Sequence, residues 1–249
     1  MKKSVFTLIV VIILLLIWEV FILLFKIDSM FLPSPIAVFS EFFKLIITWD
    51  FWHHILSTLA RTMVGFSIAT FIGLILGVFL GIFKGLYRIF EPIIDFFRSI
   101  PATALFPLFI FFTGVGDESK ILVVIYGCAF IVLINTVYGI RSINRSRISS
   151  MKLYGFSPLQ IVRYVIIPEA MPSIYSGLKI SMSLSLVLIV VTEMFIGTNA
   201  GLGFIIIQYQ MVYKIVEMYC AVLAAGLMGI GLNKTMLLIE SKALHWAGR

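Results

Sequence analysis

The sequence predicts an all-α integral membrane protein of about six transmembrane helices, on three observations. Of its 249 residues 61% are hydrophobic and 12% charged, with a mean hydropathy of +1.12, whereas soluble domains are roughly 45–50% apolar and about 25% charged. The apolar residues gather into runs near the ~20 residues that a helix needs to cross a bilayer. No run alternates polar and apolar residues as a membrane barrel would, and backbone in lipid has to satisfy its own hydrogen bonds, so the runs read as helices.

One transmembrane domain occupies residues 1–249, with spans at roughly 5–25, 56–83, 93–112, 121–140, 174–196 and 218–239. The first run, Val5 to Phe25, follows Lys2 and Lys3. It exceeds the h-region of a signal peptide and has no small-residue cleavage site, so it reads as a retained span. Between the first two spans, Phe31-Leu-Pro-Ser-Pro35 opens a helix with Ser34 as cap and Pro35 in the first turn. Ile36, Phe39, Phe43 and Ile47 then recur at helical spacing, which gives an amphipathic surface helix or a plain connector.

The second span carries Gly65, Ala69, Gly73, Gly77 and Gly81 at every fourth position, a stripe that lets another helix approach closely. In the third, Pro101 and Pro107 each remove a backbone donor and are expected to kink or interrupt the helix after Arg98. Freed carbonyls at such a break are tolerated where they meet protein or a water-filled cavity. Arg98 either snorkels to the interface or binds an anion. The fifth span is the most polar: Ser181, Ser185 and Thr192 share a face, and Glu193 adjoins it. That face either lines a solute route or bonds to its own helix backbone, and Asn135 in the fourth span is a further candidate for the route. Gly197 to Gly203 reads as a turn, followed by an apolar run, Phe204–Met211, too short to cross a bilayer.

Charge sets the predicted orientation, because Lys and Arg stay on the cytoplasmic side. With the N-terminus inside, the cytoplasmic segments hold Lys2, Lys3, Lys84, Arg88, Arg141, Arg145, Arg147, Lys152, Arg163, Lys234, Lys242 and Arg249, against Lys26, Lys44, Lys120 and Lys214 outside. Both termini are thus predicted cytoplasmic. The net charge of +7 does not point to nucleic acid, since the cations cluster between apolar runs. Neither Cys128 and Cys220 nor His53, His54 and His245 have metal-site or disulfide spacing, and no P-loop is present.

The cytoplasmic segment 141–172 is a polar island. Within it Gly155 precedes Val165-Ile-Ile-Pro168 by nine intervening residues. This frame resembles the "EAA" loop of ABC importer permeases. Phe31-Leu-Pro-Ser-Pro35, Arg98-Ser-Ile-Pro101, Gly114-Val-Gly-Asp-Glu-Ser-Lys120, Pro168-Glu-Ala-Met-Pro172 and Ala200-Gly-Leu-Gly203 extend the likeness over nearly the whole chain. Together they resemble the nitrate/sulfonate/taurine-type branch of that family. The positions that often read Glu-Ala-Ala are Ser149-Ser-Met151 here.

The resemblance implies a type I ABC importer permease fold in a bacterial inner membrane, with a coupling helix formed around Met151, Gly155, Phe156, Ser157, Leu159 and Pro168. It implies two ATPase subunits, which bind ATP and Mg while this chain binds no cofactor. It also implies a second permease chain, giving a homodimer, and an extracytoplasmic substrate-binding protein that delivers a small polar, anionic solute. Two other readings remain open on the residues alone. One is a secondary transporter coupled through Glu193, with Glu19 near a span end; the other is a non-transporting scaffold built on the glycine stripe.

Overall fold

The computed structural model describes residues 2–195 and 199–244. It is helical throughout, with no strand among the described residues. In chain order the helices are α1 (Lys2–Phe25), α2 (Pro35–Leu45), α3 (Trp49–Ile82), α4 (Lys84–Ser99), α5 (Phe106–Thr113), α6 (Asp117–Arg141), α7 (Arg145–Leu153), α8 (Pro158–Ile161), α9 (Ile167–Phe195), α10 (Leu202–Met211) and α11 (Ile215–Ala243). A 3₁₀ turn (Ala102–Leu105) joins α4 to α5, and a π turn (Val162–Ile166) joins α8 to α9. Among the described residues five helical segments are long and apolar enough to cross a membrane, and six if the bent pair α4/α5 forms one span.

The core is a triplet. The most extensive packing is that of α3 on α6 and of α6 on α9. The glycine stripe of α3 lies against α6 along its length. A Cβ at Gly65 would meet Val124 at 2.8 Å, at Gly73 the Ala129 carbonyl at 2.7 Å, at Gly77 Thr136 at 2.6 Å and at Gly81 Ile140 at 2.8 Å. Ala69 between them has no exposed surface and packs with Val123, Val124 and Cys128. Both sequences rise together, so the two helices run parallel. α9 runs antiparallel to α6, with Gly139 against Ala170 and Ser173, and Gly177 against Asn135. Side chains such as Phe71 and Val187 point away from the triplet uncovered and suit a lipid face.

Several spans extend beyond their apolar runs because polar residues found local partners. α3 begins at Trp49 rather than Leu56, capped by the Thr48 hydroxyl, which accepts from the Phe51 amide at 3.4 Å. α6 starts at Asp117 and Glu118, whose charge suits the positive end of the helix dipole. The Ser34–Pro35 start holds for α2: the Ser34 hydroxyl accepts from the Ala37 amide at 3.2 Å. Its Val38 and Phe42 pack on Cys220, Ala221 and Ala224 of α11, while Ile36, Phe43 and Ile47 stay exposed. α10 does not span. Leu202, Ile205 and Ile206 bury it in that same core.

The third span departs from a single rod over 93–112. Its first helix starts at Lys84, and α4 meets the Ala102–Thr113 segment at a bend of 79°. The break falls at Ile100-Pro101, with Ile100 extended (φ −78°, ψ 122°), as steric clash with the proline ring demands of the preceding residue. Pro107 interrupts nothing. It sits in the first turn of α5, where the missing amide has no helical partner to lose.

Gly77→Leu should therefore be among the most damaging single changes in the spans. No rotamer avoids the Leu133 carbonyl and Thr136, and overpacking of this kind costs about 1–3 kcal/mol. A lowered midpoint in thermal unfolding of the detergent-solubilised protein is expected, whereas Gly226→Leu, which has open space, should leave it near wild type.

Candidate translocation and coupling sites

The candidate coupling segment is built by helix-end chemistry. After α7, Gly155 adopts φ +80°, a left-handed backbone that costs other L-residues about 1–2 kcal/mol. The Gly155 amide donates to the Lys152 carbonyl at 3.0 Å and the Phe156 amide to Met151 at 3.1 Å. This pair of bonds is a Schellman ending. Ser157 then caps α8 and forms a reciprocal box with Gln160, at 3.3 and 2.8 Å, while Pro158 occupies its first turn. Helix α7 stops and α8 starts within four residues, and both ends are fixed.

The turn exposes Leu153, Tyr154 and Leu159, at 89%, 81% and 79%, whereas Met151 and Ile148 face inward onto Ile143, Ile161 and Ile166. Phe156 is at the edge of exposure and Pro168 lies half-buried in the first turn of α9. The segment 141–172 is thus mostly helix. α8, the π turn and α9 form one continuous rod, Pro158–Phe195. Arg147 ties α7 back to that rod through Glu169 at 2.7 Å, and this hydrogen bond raises the Arg147 pKa above its ordinary value.

At the break in the third span a cavity of about 310 Å³ is lined by Arg98, Ile100, Pro101 and Ala102, by Tyr126, Gly127, Phe130, Ile131 and Ile134 of α6, and by Leu184 and Leu188 of α9. Pro101 has no amide to give the Phe97 carbonyl four residues back. Two groups replace it: the Ile100 amide, at 3.1 Å, and the Tyr126 hydroxyl, which donates to the same oxygen. Tyr126 escaped the sequence reading because a tyrosine in an apolar run carries no signal until its partner is known. Arg98 is half-exposed and paired with Asp95 at 2.8 Å. A second hollow of about 420 Å³ lies at Thr103, Ala104, Phe106 and Pro107, and Thr192 reaches its wall.

Apart from Thr192, the hydroxyl face of α9 lines neither hollow. Ser181, Ser185 and Thr192 have no exposed surface. Ser185 donates to the Met182 carbonyl and Thr192 to Ile189, while the Ser181 carbonyl accepts from Cys128. The α9 residues in the wall of the larger-lined cavity at Arg98 are Leu184 and Leu188. Asn135 sits at the α6–α9 crossing, bonded to the Ile131 carbonyl at 2.9 Å and against Gly177. Close helix packing takes these polar groups into the core of the chain.

Glu193 is the centre of a buried ionic web at the far end from the coupling segment. Arg61 Nη1 donates to Glu193 Oε1 at 2.6 Å and to the Ala200 carbonyl at 2.8 Å, and Arg61 Nε to Asp117 at 2.7 Å. Thr58 donates to Glu193 at 2.8 Å and accepts from the Leu202 amide at 2.8 Å. The Gly203 amide donates to Glu193 at 3.1 Å, and the Gly201 amide to His54 Nδ1 at 3.0 Å. α3, α6, α9 and the start of α10 meet here. Gly197 and Thr198 of the predicted turn lie outside the described residues, but Gly201 has φ +136°, and its Cβ position is filled by the Glu193 carboxylate. Lys120, expected in an outer loop, is wholly buried beside Asp117 at 3.9 Å.

The binding-protein-dependent transport system inner membrane component model matches residues 69–240, well over half of the chain. The chain belongs to that family. It is an ABC importer permease, which sets aside the secondary-transporter and scaffold readings. It is 32% identical over 86% of its length to the putative aliphatic sulfonates permease SsuC of Escherichia coli K12, covering 81% of that protein. It is 30% identical to the taurine permease TauC of the same strain (78% of this chain, 72% of that one). It is 31% identical to the riboflavin permease RibX of Chloroflexus aurantiacus (94% and 87%). Among solved structures, a chain of the inward-facing methionine ABC transporter MetNI superposes with TM-score 0.69 at 24% identity, covering 78% of this permease and 96% of that chain.

Breaking the ionic web from one side should be costly. Arg61→Leu leaves the Glu193 carboxylate buried without its cation, a loss of about 3–5 kcal/mol, read as a lower unfolding temperature in detergent. Arg61→Leu with Glu193→Leu removes both charges and should recover much of that loss. A double variant as unstable as the single would show that the bonds from Thr58 and Gly203, not the charge pair, hold this end together.

Proposed function

We propose that this permease imports a small anionic solute of the sulfonate class, through a route completed by a second copy of the same chain. The observation that carries the reading is the broken third span. Its bend opens a cavity beside Arg98, with a second hollow across the 3₁₀ turn, and neither is enclosed, which leaves an open side for a second copy of the chain to cover. Arg98 offers the cation at that site, and the relatives that transport sulfonates and taurine favour an anion. A separate binding protein on the outer side selects the solute, and the termini face the cytoplasm.

Two ATPase subunits bind ATP and Mg and dock on the Met151–Leu159 turn, one per permease chain. ATP binding closes the ATPase pair, and the docked turns carry that motion into the spans. A bistable bundle biased by a ligand bound elsewhere is sufficient physics for alternating access.

Purified with its ATPase and reconstituted in vesicles with the binding protein, the permease should accumulate taurine or an alkanesulfonate only with ATP. Ala102→Trp fills the cavity and should abolish uptake while the ATPase stays bound. Gly155→Val, a β-branched residue where φ is positive, should instead release the ATPase and leave membrane insertion intact. Uptake at wild-type rate by Ala102→Trp would remove the cavity from the route.

Orientation is checked separately. In a background lacking Cys128 and Cys220, a single cysteine at position 117 should react with an impermeant thiol reagent in intact cells, and one at 145 should react only after lysis. The reverse pattern would invert the topology.

A further inference from the structure

The coupling surface has an unusual charge. Between Glu118 and Glu169 the chain contains no carboxylate, whereas Arg141, Arg145, Arg147, Lys152 and Arg163 all fall between positions 141 and 163 of that stretch. Two of these cations are held by other parts of the chain, whereas Arg163 lies only over the ring of its exposed neighbour Tyr164, at 5.8 Å. Arg141 lies over the Tyr87 ring at 3.9 Å, and Arg147 takes Glu169, the first acid to follow. Lys152 and Arg163 are exposed, and neither forms an ion pair among the described residues. They flank the exposed apolar tip formed by Leu153, Tyr154 and Leu159.

A lipid surface fits this patch poorly. The rod Pro158–Phe195 has 38 residues and at 1.5 Å each is roughly 57 Å long, against about 40–45 Å for a bilayer with its headgroups. Lys179 of the rod pairs with Glu240 of α11 at 2.8 Å, which places a charged boundary well inside the rod from its start. With Phe195 at the outer headgroup surface and the rod along the bilayer normal, its first two turns, and the tip that precedes them, would stand beyond the headgroup layer. An interfacial helix would also turn its apolar face to the lipid, whereas the apolar residues Ile148 and Met151 of α7 face inward.

We infer that the groove of the ATPase subunit that receives this turn is acidic, with carboxylates opposite Lys152 and Arg163, so that docking is selected by charge as well as by shape. The inference rests on the proposed docking of the ATPase at Met151–Leu159. Apolar residues at the tip provide burial; the flanking cations steer the approach and disfavour an ATPase with a basic groove.

The test is co-purification of the cognate ATPase with the full permease in mild detergent. Retention by wild type should fall as salt rises from 0.15 M to 1 M, because the screening length drops from about 8 Å to about 3 Å. Lys152→Glu with Arg163→Glu should retain about tenfold less ATPase at low salt, since attraction at two positions becomes repulsion. A carboxylate-to-lysine change in the ATPase groove should restore it. Equal retention by wild type and the charge-reversed permease at every salt concentration overturns the inference. The docking reading survives that result, since Gly155→Val still tests it. Loss of binding to phosphatidylglycerol vesicles with unchanged ATPase retention also overturns it and assigns the cations to lipid. Failure of wild type to retain any ATPase removes the docking reading itself.

Discussion

The close approach of α3 to α6 is the constraint on which the other geometry depends. Four glycines and one alanine leave no side chain between the backbones, so the helices meet along their whole shared length. In lipid this contact has no hydrophobic driving force and rests on van der Waals packing and backbone proximity. Its consequence lies at the ends. With α3 and α6 in parallel register, Arg61 reaches Asp117 on one neighbour and Glu193 on the other. A helix pair splayed by one methyl group per turn would leave that guanidinium short of at least one carboxylate.

The break in the third span follows the opposite rule: there the backbone is left incomplete. Pro101 orphans the Phe97 carbonyl, and Tyr126 on α6 supplies a hydrogen in place of the lost amide. The bend is therefore anchored to the same rigid pair that the glycines hold together. Hollows form on both sides of the 3₁₀ turn because a chain bent by 79° cannot pack flush against straight neighbours. A hollow and a braced wall thus arise together from the proline at position 101.

What the sequence made legible depended on how local each signal was. The spans, the α2 cap, the glycine stripe and the helix break are written in consecutive or helically spaced residues. The turn proposed to meet the ATPase was marked too, since Gly155 and Pro168 hold a fixed spacing. The long-range pairs were not. Arg61 meets Glu193 across 132 positions, and nothing near either residue announces the other. The reading of Ser181, Ser185 and Thr192 as a polar face was correct in periodicity, but periodicity does not say which neighbour a face meets. α6 meets that face at Cys128, whose thiol donates to the Ser181 carbonyl, and again at Asn135, against Gly177. Pro107 misled for a similar reason: its effect depended on whether a helix already ran through it or began beside it.

The rod from Pro158 to Phe195 connects the two ends physically. At one end it carries the capped turn proposed to meet the ATPase; at the other its Glu193 is held by α3, by Gly203 and, through Arg61, by α6. Between them the π turn at Val162–Ile166 is the one stretch of the rod without α-helical bonding among the described residues. Wide turns of this kind bend more readily than α-helix and recur at functional sites. Displacement of the docked turn would therefore be divided between bending at the π turn and rotation of α9 as a unit. Rotation carries Leu184 and Leu188 across the cavity at Arg98, whereas bending leaves them in place. The salt bridge from Arg147 to Glu169 spans the π turn and opposes its bending. It favours the rotation, the component that reaches the cavity.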